Sequence, residues 1–186
     1  AYSNPFYRVL HPERGRGLCA VSAAVLSIGS NVGDRFGYLR GCVEGLGDVV
    51  RAVSPVYSSE PWGGVAQDEF LNAILLVEDT AADAQEWLRR AQSGETAAGR
   101  TRGVRWGPRT LDVDVIDVEL TCLQDPQLTL PHPRAHQRAF VLVPWDDVAP
   151  GAVLTGYGRV ADLVVALPAA ERRSVRRRED LLLRGP

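Results

Sequence analysis

Lysine is absent from this 186-residue chain, and all 21 of its basic residues are arginine. Any anionic ligand must therefore be met by planar guanidinium forks rather than by ammonium point charges. Codon usage in a GC-rich genome accounts for such a bias without functional pressure. Methionine is also absent, so the chain as given does not begin at an initiator and reads as processed or trimmed. Cysteine is scarce: Cys19, Cys42 and Cys122 are odd in number, far apart and without a CxxC pair. That excludes a disulfide framework and a zinc site, and reduced, structural cysteines are expected. No apolar run approaches the length of a bilayer-spanning helix. The opening AYSNPFYRVLHPERGRG lacks the basic end, apolar stretch and small-residue cleavage site of a secretory signal. No membrane association and a cytoplasmic location are expected. Net charge is only −2, which gives no general pull toward nucleic acid.

What is present is an ordinary globular composition, 45% hydrophobic and 24% charged, at a length that suits one domain. Residues 1–19 read as a tail or linker remnant, 20–170 as the domain and 171–186 as a C-terminal tail whose charge run is a solvated face. Ala20 to Ser30 predicts a buried strand. Asp34 to Leu46 places Phe36, Leu39, Val43 and Leu46 at helical spacing, with Gly47 as the stop. A strand is expected from Val49 to Tyr57, then a loop around Trp62, and a strong strand from Phe70 to Glu78. Ala82 to Ala98 predicts a helix, with Gly94 as a point of kinking or fraying. LDVDVIDVEL alternates as a strand. Leu128 to Pro133 reads as extended, Ala135 to Asp147 as a short helix and Val160 to Leu167 as a final one. This order predicts an α+β, ferredoxin-like sandwich, its mainly antiparallel sheet covered by helices on one face and free for a ligand on the other.

Asp112 and Asp114 are two apart on a strand, so both carboxylates project from one face. Such a pair suits magnesium, which takes hard oxygen ligands, commonly one or two carboxylates, and completes its shell with water and phosphate oxygens. Just upstream lie Arg100, Arg102, Arg105 and Arg109 on a loop with Gly99, Gly103 and Gly107 as hinges. Guanidinium groups beside a metal pair are what phosphoryl transfer requires, and the hinges suggest a loop that closes over the nucleotide.

The segment RWGPRTLDVDVI, Arg105 to Ile116, resembles the signature of the 6-hydroxymethyl-7,8-dihydropterin pyrophosphokinases. IGSNVGDR, SSEPWG, FLNAILLVE, ETAAGRTR and LPHPRAHQRAFVLVPWDDVAP stand around it in the same order. The resemblance implies diphosphate transfer from ATP to the hydroxymethyl group of a reduced pterin, in folate biosynthesis. It implies that Asp112 and Asp114 hold two magnesium ions and that Arg100 and Arg109 join them in catalysis. It places the pterin between Phe70 and Phe140, with Ser59, Trp62 and Asn72 at its polar edge. It assigns ATP to Gln92, Glu95, Arg100, Arg109, His132 and Arg138, and leaves His136 as a supporting residue. Its partners would be small molecules, with no nucleic acid. It describes a monomer, linked to or acting beside other folate enzymes. Three rival readings stay open at this point: an RNA-binding sheet, a metal-dependent phosphohydrolase and a family member that has lost activity.

Overall fold

The computed structural model describes residues 22–60, 68–100, 109–119 and 121–183. The expectations for residues 1–19, Cys19, Trp62, Arg102, Gly103, Arg105 and Gly107 lie outside them. The first strand, β1 (Ser22–Ser30), is buried along nearly its whole length. Its composition explains that position, because small and branched residues fill both of its faces, as a central strand requires. It runs antiparallel to β4 (Phe70–Asp79) on one side and to β5 (Asp112–Val118) on the other. β2 (Val50–Val53) and β3 (Tyr57–Ser59) also pair with β4. The resulting path β3-β4-β1-β5 is the ferredoxin-like order expected from the alternation of elements.

The single strand expected from Val49 to Tyr57 is two strands. Between them Ser54 Oγ accepts the Ile74 N–H at 2.8 Å, a bond otherwise made by the backbone ladder, and Pro55 has no N–H to offer. The helix α1 (Arg35–Leu46) starts where Asp34 Oδ1 accepts the Gly37 N–H at 2.9 Å, and stops at Gly47, whose φ of 61° suits glycine. The helix α2 (Ala84–Ala97) begins two residues later than expected because Asp83 caps it, accepting the Glu86 N–H at 2.8 Å. It runs unbroken through Gly94, so the expected kink is absent. A Cβ there would lie 3.6 Å from Cys42 Sγ of α1, in ordinary contact.

Helices cover both faces of the sheet, which corrects the expectation of one open face. Alternation along β1 sends Ala24, Leu26 and Ile28 toward α1 and α2, together with Leu71, Ala73, Leu75, Val113 and Val115. Ala23 and Val25 point the other way, with Ile74, Leu76 and Ile116, onto α3 (Ala139–Val148) and α4 (Val160–Ala166). Leu142 and Trp145 of α3 are buried there. Among the described residues the sheet end beyond the start of α3 is the less covered one, and Asp112 and Asp114 lie at that end, the start of β5.

Short pairs of elements follow among the described residues. β6 (Leu123–Gln124) pairs with β7 (Thr129–Leu130), and β8 (Val153–Leu154) pairs with β9 (Gly158–Arg159). The segment read as a C-terminal tail instead carries α5 (Ala169–Arg173) and β10 (Val175–Arg177), which adds a strand to the sheet beside β3. Its charge run masks the strand: Arg176 and Arg177 are exposed, while Val175 packs against the α3 side of the core. Cys42 is buried and free, and burial pushes its thiol up to about 12, which leaves it unreactive. Cys122 is free but exposed, so it is not a core residue. Among the described residues no helix is long and apolar enough to cross a membrane.

Candidate active site

β1 organises the site through its register. Gly29 pairs with Asn72 on one side and with Asp112 on the other, and Ser27 pairs in the same way with Ile74 and Asp114. Cross-strand partners share a face, so Asn72, Asp112 and Asp114 all project toward the sheet end left open by α3. The two carboxylates thus share a face, as their spacing in the sequence predicts.

Around Asp112 the structure gathers residues from two other segments. Arg100 Nη1 donates to Asp112 Oδ1 at 2.7 Å and also pairs with Glu95, while Arg109 Nη1 donates to Asp112 Oδ2 at 2.5 Å. Arg100 reaches back because the chain reverses at Gly99, with a φ of 67°, and the Arg100 N–H bonds the Glu95 carbonyl at 3.0 Å. Glu95 in turn accepts the Val113 N–H at 3.0 Å, pinning the end of α2 to the residue between the two aspartates. Burial holds the Glu95 carboxyl above its ordinary range.

Asp114 faces Arg138, whose Nη1 donates to its Oδ2 at 3.3 Å, and His132, whose Nε2 is 4.0 Å from the same oxygen. Burial, and then the negative charge of Asp112, raise the Asp114 carboxyl above its usual value. About a third of its side-chain surface, 34%, remains accessible, which leaves it open to a ligand. Burial, followed by the Arg138 charge, lowers His132 to about 4, so its imidazole is neutral at neutral pH. His132 therefore offers hydrogen bonds rather than charge. Three carboxylates, Glu95, Asp112 and Asp114, stand against three guanidiniums, Arg100, Arg109 and Arg138. Among the described residues these charges thus balance before any cation or phosphate enters.

The donor set fits magnesium. It offers two hard carboxylates on one face, each partly accessible. That is the pattern of an ion which depends on substrate phosphate and water for the rest of its shell.

A second group lies two strands away. Asn72 Nδ2 donates to Ser59 Oγ at 2.8 Å, and both side chains are buried. Phe70 and Phe140 are each half-buried, and the Arg138 guanidinium sits 5.4 Å over the Phe140 ring, linking this group to Asp114. Gln92 is exposed one helical turn before Glu95. Trp62 is outside the described residues.

Sequence reasoning assigns no role to Asn31, which the fold makes part of the site. Its Oδ1 accepts the Arg109 N–H at 2.8 Å, and its own N–H donates to the Arg109 carbonyl at 3.2 Å. The signal for it is the IGSN motif at the end of β1. A cavity of about 590 Å³ also lies between α1 and α2, lined by Gly37, Gly41, Cys42 and Gly94. Its lining by Leu26, Leu111 and Val113 puts it on the sheet face opposite the aspartates.

The model of the 7,8-dihydro-6-hydroxymethylpterin-pyrophosphokinase family matches residues 25–150. A Mycobacterium tuberculosis protein named 2-amino-4-hydroxy-6-hydroxymethyldihydropteridine pyrophosphokinase is 52% identical over 169 residues, covering 84% of this chain and 89% of the relative. A Bacillus subtilis protein of the same name is 40% identical over 129 residues, covering 67% of this chain and 77% of the relative. Among solved structures, a Plasmodium falciparum HPPK-DHPS with pterin and p-hydrobenzoate superposes with a TM-score of 0.60 at 12% identity. It covers 87% of this chain and 48% of its own, so the present chain spans about half its length and shares its fold.

Proposed function

Because the chain belongs to the 7,8-dihydro-6-hydroxymethylpterin-pyrophosphokinase family, we propose that Asp112 and Asp114 hold magnesium and that the surrounding arginines receive the ATP phosphates. The enzyme transfers diphosphate from ATP to the hydroxymethyl group of the dihydropterin, in folate biosynthesis. The observation that carries the site assignment is the meeting of Arg100, Arg109 and Arg138 with two aspartates on one strand.

In this reading the hydroxymethyl oxygen attacks the β-phosphorus and gives up its proton to water, the bond from that phosphorus to the oxygen shared with the α-phosphorus breaks, and AMP leaves. Two magnesium ions, bound at Asp112 and Asp114, would supply neutralisation of the phosphate charge. The protein's own part is positioning and electrostatics. Each guanidinium carries five donors, more than its carboxylate bonds use, so Arg100 and Arg109 can hold Asp112 and phosphate oxygens together. An electrically balanced cluster becomes net positive once cations enter, which is the condition for accepting a triphosphate. Glu95 fixes Arg100, and neutral His132 hydrogen-bonds the nucleotide without adding charge, while Gln92 contacts it from α2. Phe70 and Phe140 flank the pterin, and Asn72, oriented by Ser59, reads its polar edge together with Trp62. The free thiols of Cys42 and Cys122 favour a reducing, cytoplasmic setting, and the family resemblance implies a monomer. By analogy with the joined HPPK-DHPS proteins, it would act beside other folate enzymes.

The test is AMP formation from ATP, magnesium and the hydroxymethyl dihydropterin. AMP should appear only with the pterin present, and Asp112→Ala should lower the rate by about 100-fold or more. Phosphate release without pterin would point to a hydrolase. Full activity in Asp112→Ala would overturn the metal assignment.

A further inference from the structure

We propose that Tyr157 is a positioning residue for the nucleotide side of the site, acting through its ring stack on His136. The inference rests on the reading of His132 and Arg138 as nucleotide-binding residues. Both are carried by the segment 132–138, whose ends are tied to β5. The His132 N–H donates to the Ile116 carbonyl at 2.7 Å, and Arg138 Nη1 reaches Asp114 at 3.3 Å. Between these ties runs a 3₁₀ turn, Ala135–Gln137, closed by three-residue bonds of 3.0 to 3.2 Å. Such turns have poor hydrogen-bond geometry and take their orientation from packing.

Tyr157 supplies packing at the middle of that turn. Its ring lies 4.2 Å from the His136 ring at an interplanar angle of 14°. Tyr157 stands in the tight connection between β8 and β9, where its N–H donates to the Leu154 carbonyl at 3.0 Å. That hairpin is itself anchored on β5. Thr155 donates to Asp117 Oδ2 twice, from Oγ1 at 2.9 Å and from its N–H at 3.2 Å. Asp117 is buried, at 4% exposure, and lies three residues along the strand from Asp114. The contacts form a closed circuit: Asp117, Thr155, Tyr157, His136, Arg138 and back to Asp114. A rigid strand thus fixes one end of the nucleotide segment directly and its middle through the hairpin. Tyr157 lies beyond residues 25–150, the part that matches the family model.

Calorimetry with a methylene-bridged ATP analogue and magnesium tests this, with the KM for pterin measured at saturating ATP. Tyr157→Ala should raise the nucleotide Kd by about 3- to 10-fold, the range of one aromatic contact, with the pterin KM changed less than twofold. Tyr157→Phe should restore the wild-type Kd. His136→Ala should reproduce the rise, and the double variant should add nothing further. An unchanged nucleotide Kd in both Tyr157→Ala and His136→Ala, or additive losses in the double variant, would overturn the proposal. Arg138→Ala separates the two levels: if it leaves the nucleotide Kd untouched, the underlying site reading fails. If Arg138→Ala weakens nucleotide binding while the Tyr157 and His136 variants do not, only the positioning role fails.

Discussion

Asn31 and Arg109 clasp each other through two hydrogen bonds, the Arg109 N–H to Asn31 Oδ1 at 2.8 Å and the Asn31 N–H to the Arg109 carbonyl at 3.2 Å. The residue that follows β1 therefore sets the approach of the chain to β5, and with it the place from which the Arg109 guanidinium reaches Asp112. Asn31→Ala removes the side-chain half of this clasp at a site only 1% exposed. A buried donor left without its partner costs about 1–3 kcal/mol. We expect kcat/KM to fall by about 10- to 100-fold, with nucleotide binding weakened as well. Steady-state kinetics on Asn31→Ala and Asn31→Ser check this, and unchanged kcat/KM in both would refute it.

Gly94 lies inside an unbroken α2, where its added Cβ would meet Cys42 Sγ at 3.6 Å, an ordinary contact. Gly94→Ala should therefore gain helix propensity without a clash, stabilising the fold by about 0.5–1 kcal/mol. At this chain length that raises Tm by about 1–4 °C. The ATP Kd should stay within twofold of wild type. A lowered Tm would show that the α1–α2 contact is tighter than the distance implies.

Burial raises the Asp117 carboxyl from 3.8 to about 6. Between about pH 4 and 6 the folded state then holds more protons than the unfolded chain. The stability that this group contributes is fully present below its unfolded pKa and is lost as pH rises through its folded value. A two-unit shift corresponds to about 2–3 kcal/mol. Glu95 and Asp114 are shifted in the same direction, so the diagnostic quantity is the difference between wild type and Asp117→Asn. Urea unfolding from pH 4 to 7 should show a shallower decline in the variant. Parallel curves would rule out Asp117 as the source.

Tyr57 joins β3 to α3, its hydroxyl donating to Asp147 Oδ2 at 2.9 Å, and Arg177 of the edge strand β10 meets the same oxygen at 3.0 Å. Burial, then the bond to Asp147, push the Tyr57 hydroxyl up to about 12. Tyr57→Phe removes a hydrogen bond to a charged acceptor worth about 1.5 kcal/mol, and Tm should fall by about 3–6 °C. Arg177→Ala should matter less, since its side chain is 46% exposed and water competes for the pair. A larger loss in Arg177→Ala than in Tyr57→Phe would reverse this ranking.

Local pattern carries much of the fold. Asp34 and Asp83 stand where helices begin, Gly47 where one ends, and period-two alternation is enough to put Asp112 and Asp114 on one face of their strand. Pro55 marks a strand break locally by lacking an N–H, whereas the Ser54 bond that completes the break is not local, because its partner is Ile74, 20 residues away. The C-terminal strand leaves no trace in the pattern because three residues at a sheet edge bury too little apolar surface to show a period.

By itself the sequence determined the order of the main strands and helices, the shared face of the two aspartates and the residues that mark the family, because caps, turns and periodicity act within a few positions of the chain. Tertiary structure alone decided which distant groups those aspartates meet. Asn31 clasps Arg109 across 78 positions, Glu95 reaches Val113 across 18, and Thr155 reaches Asp117 across 38. Strand register and helix packing set such meetings, and a shift of one residue would turn every carboxylate to the opposite face.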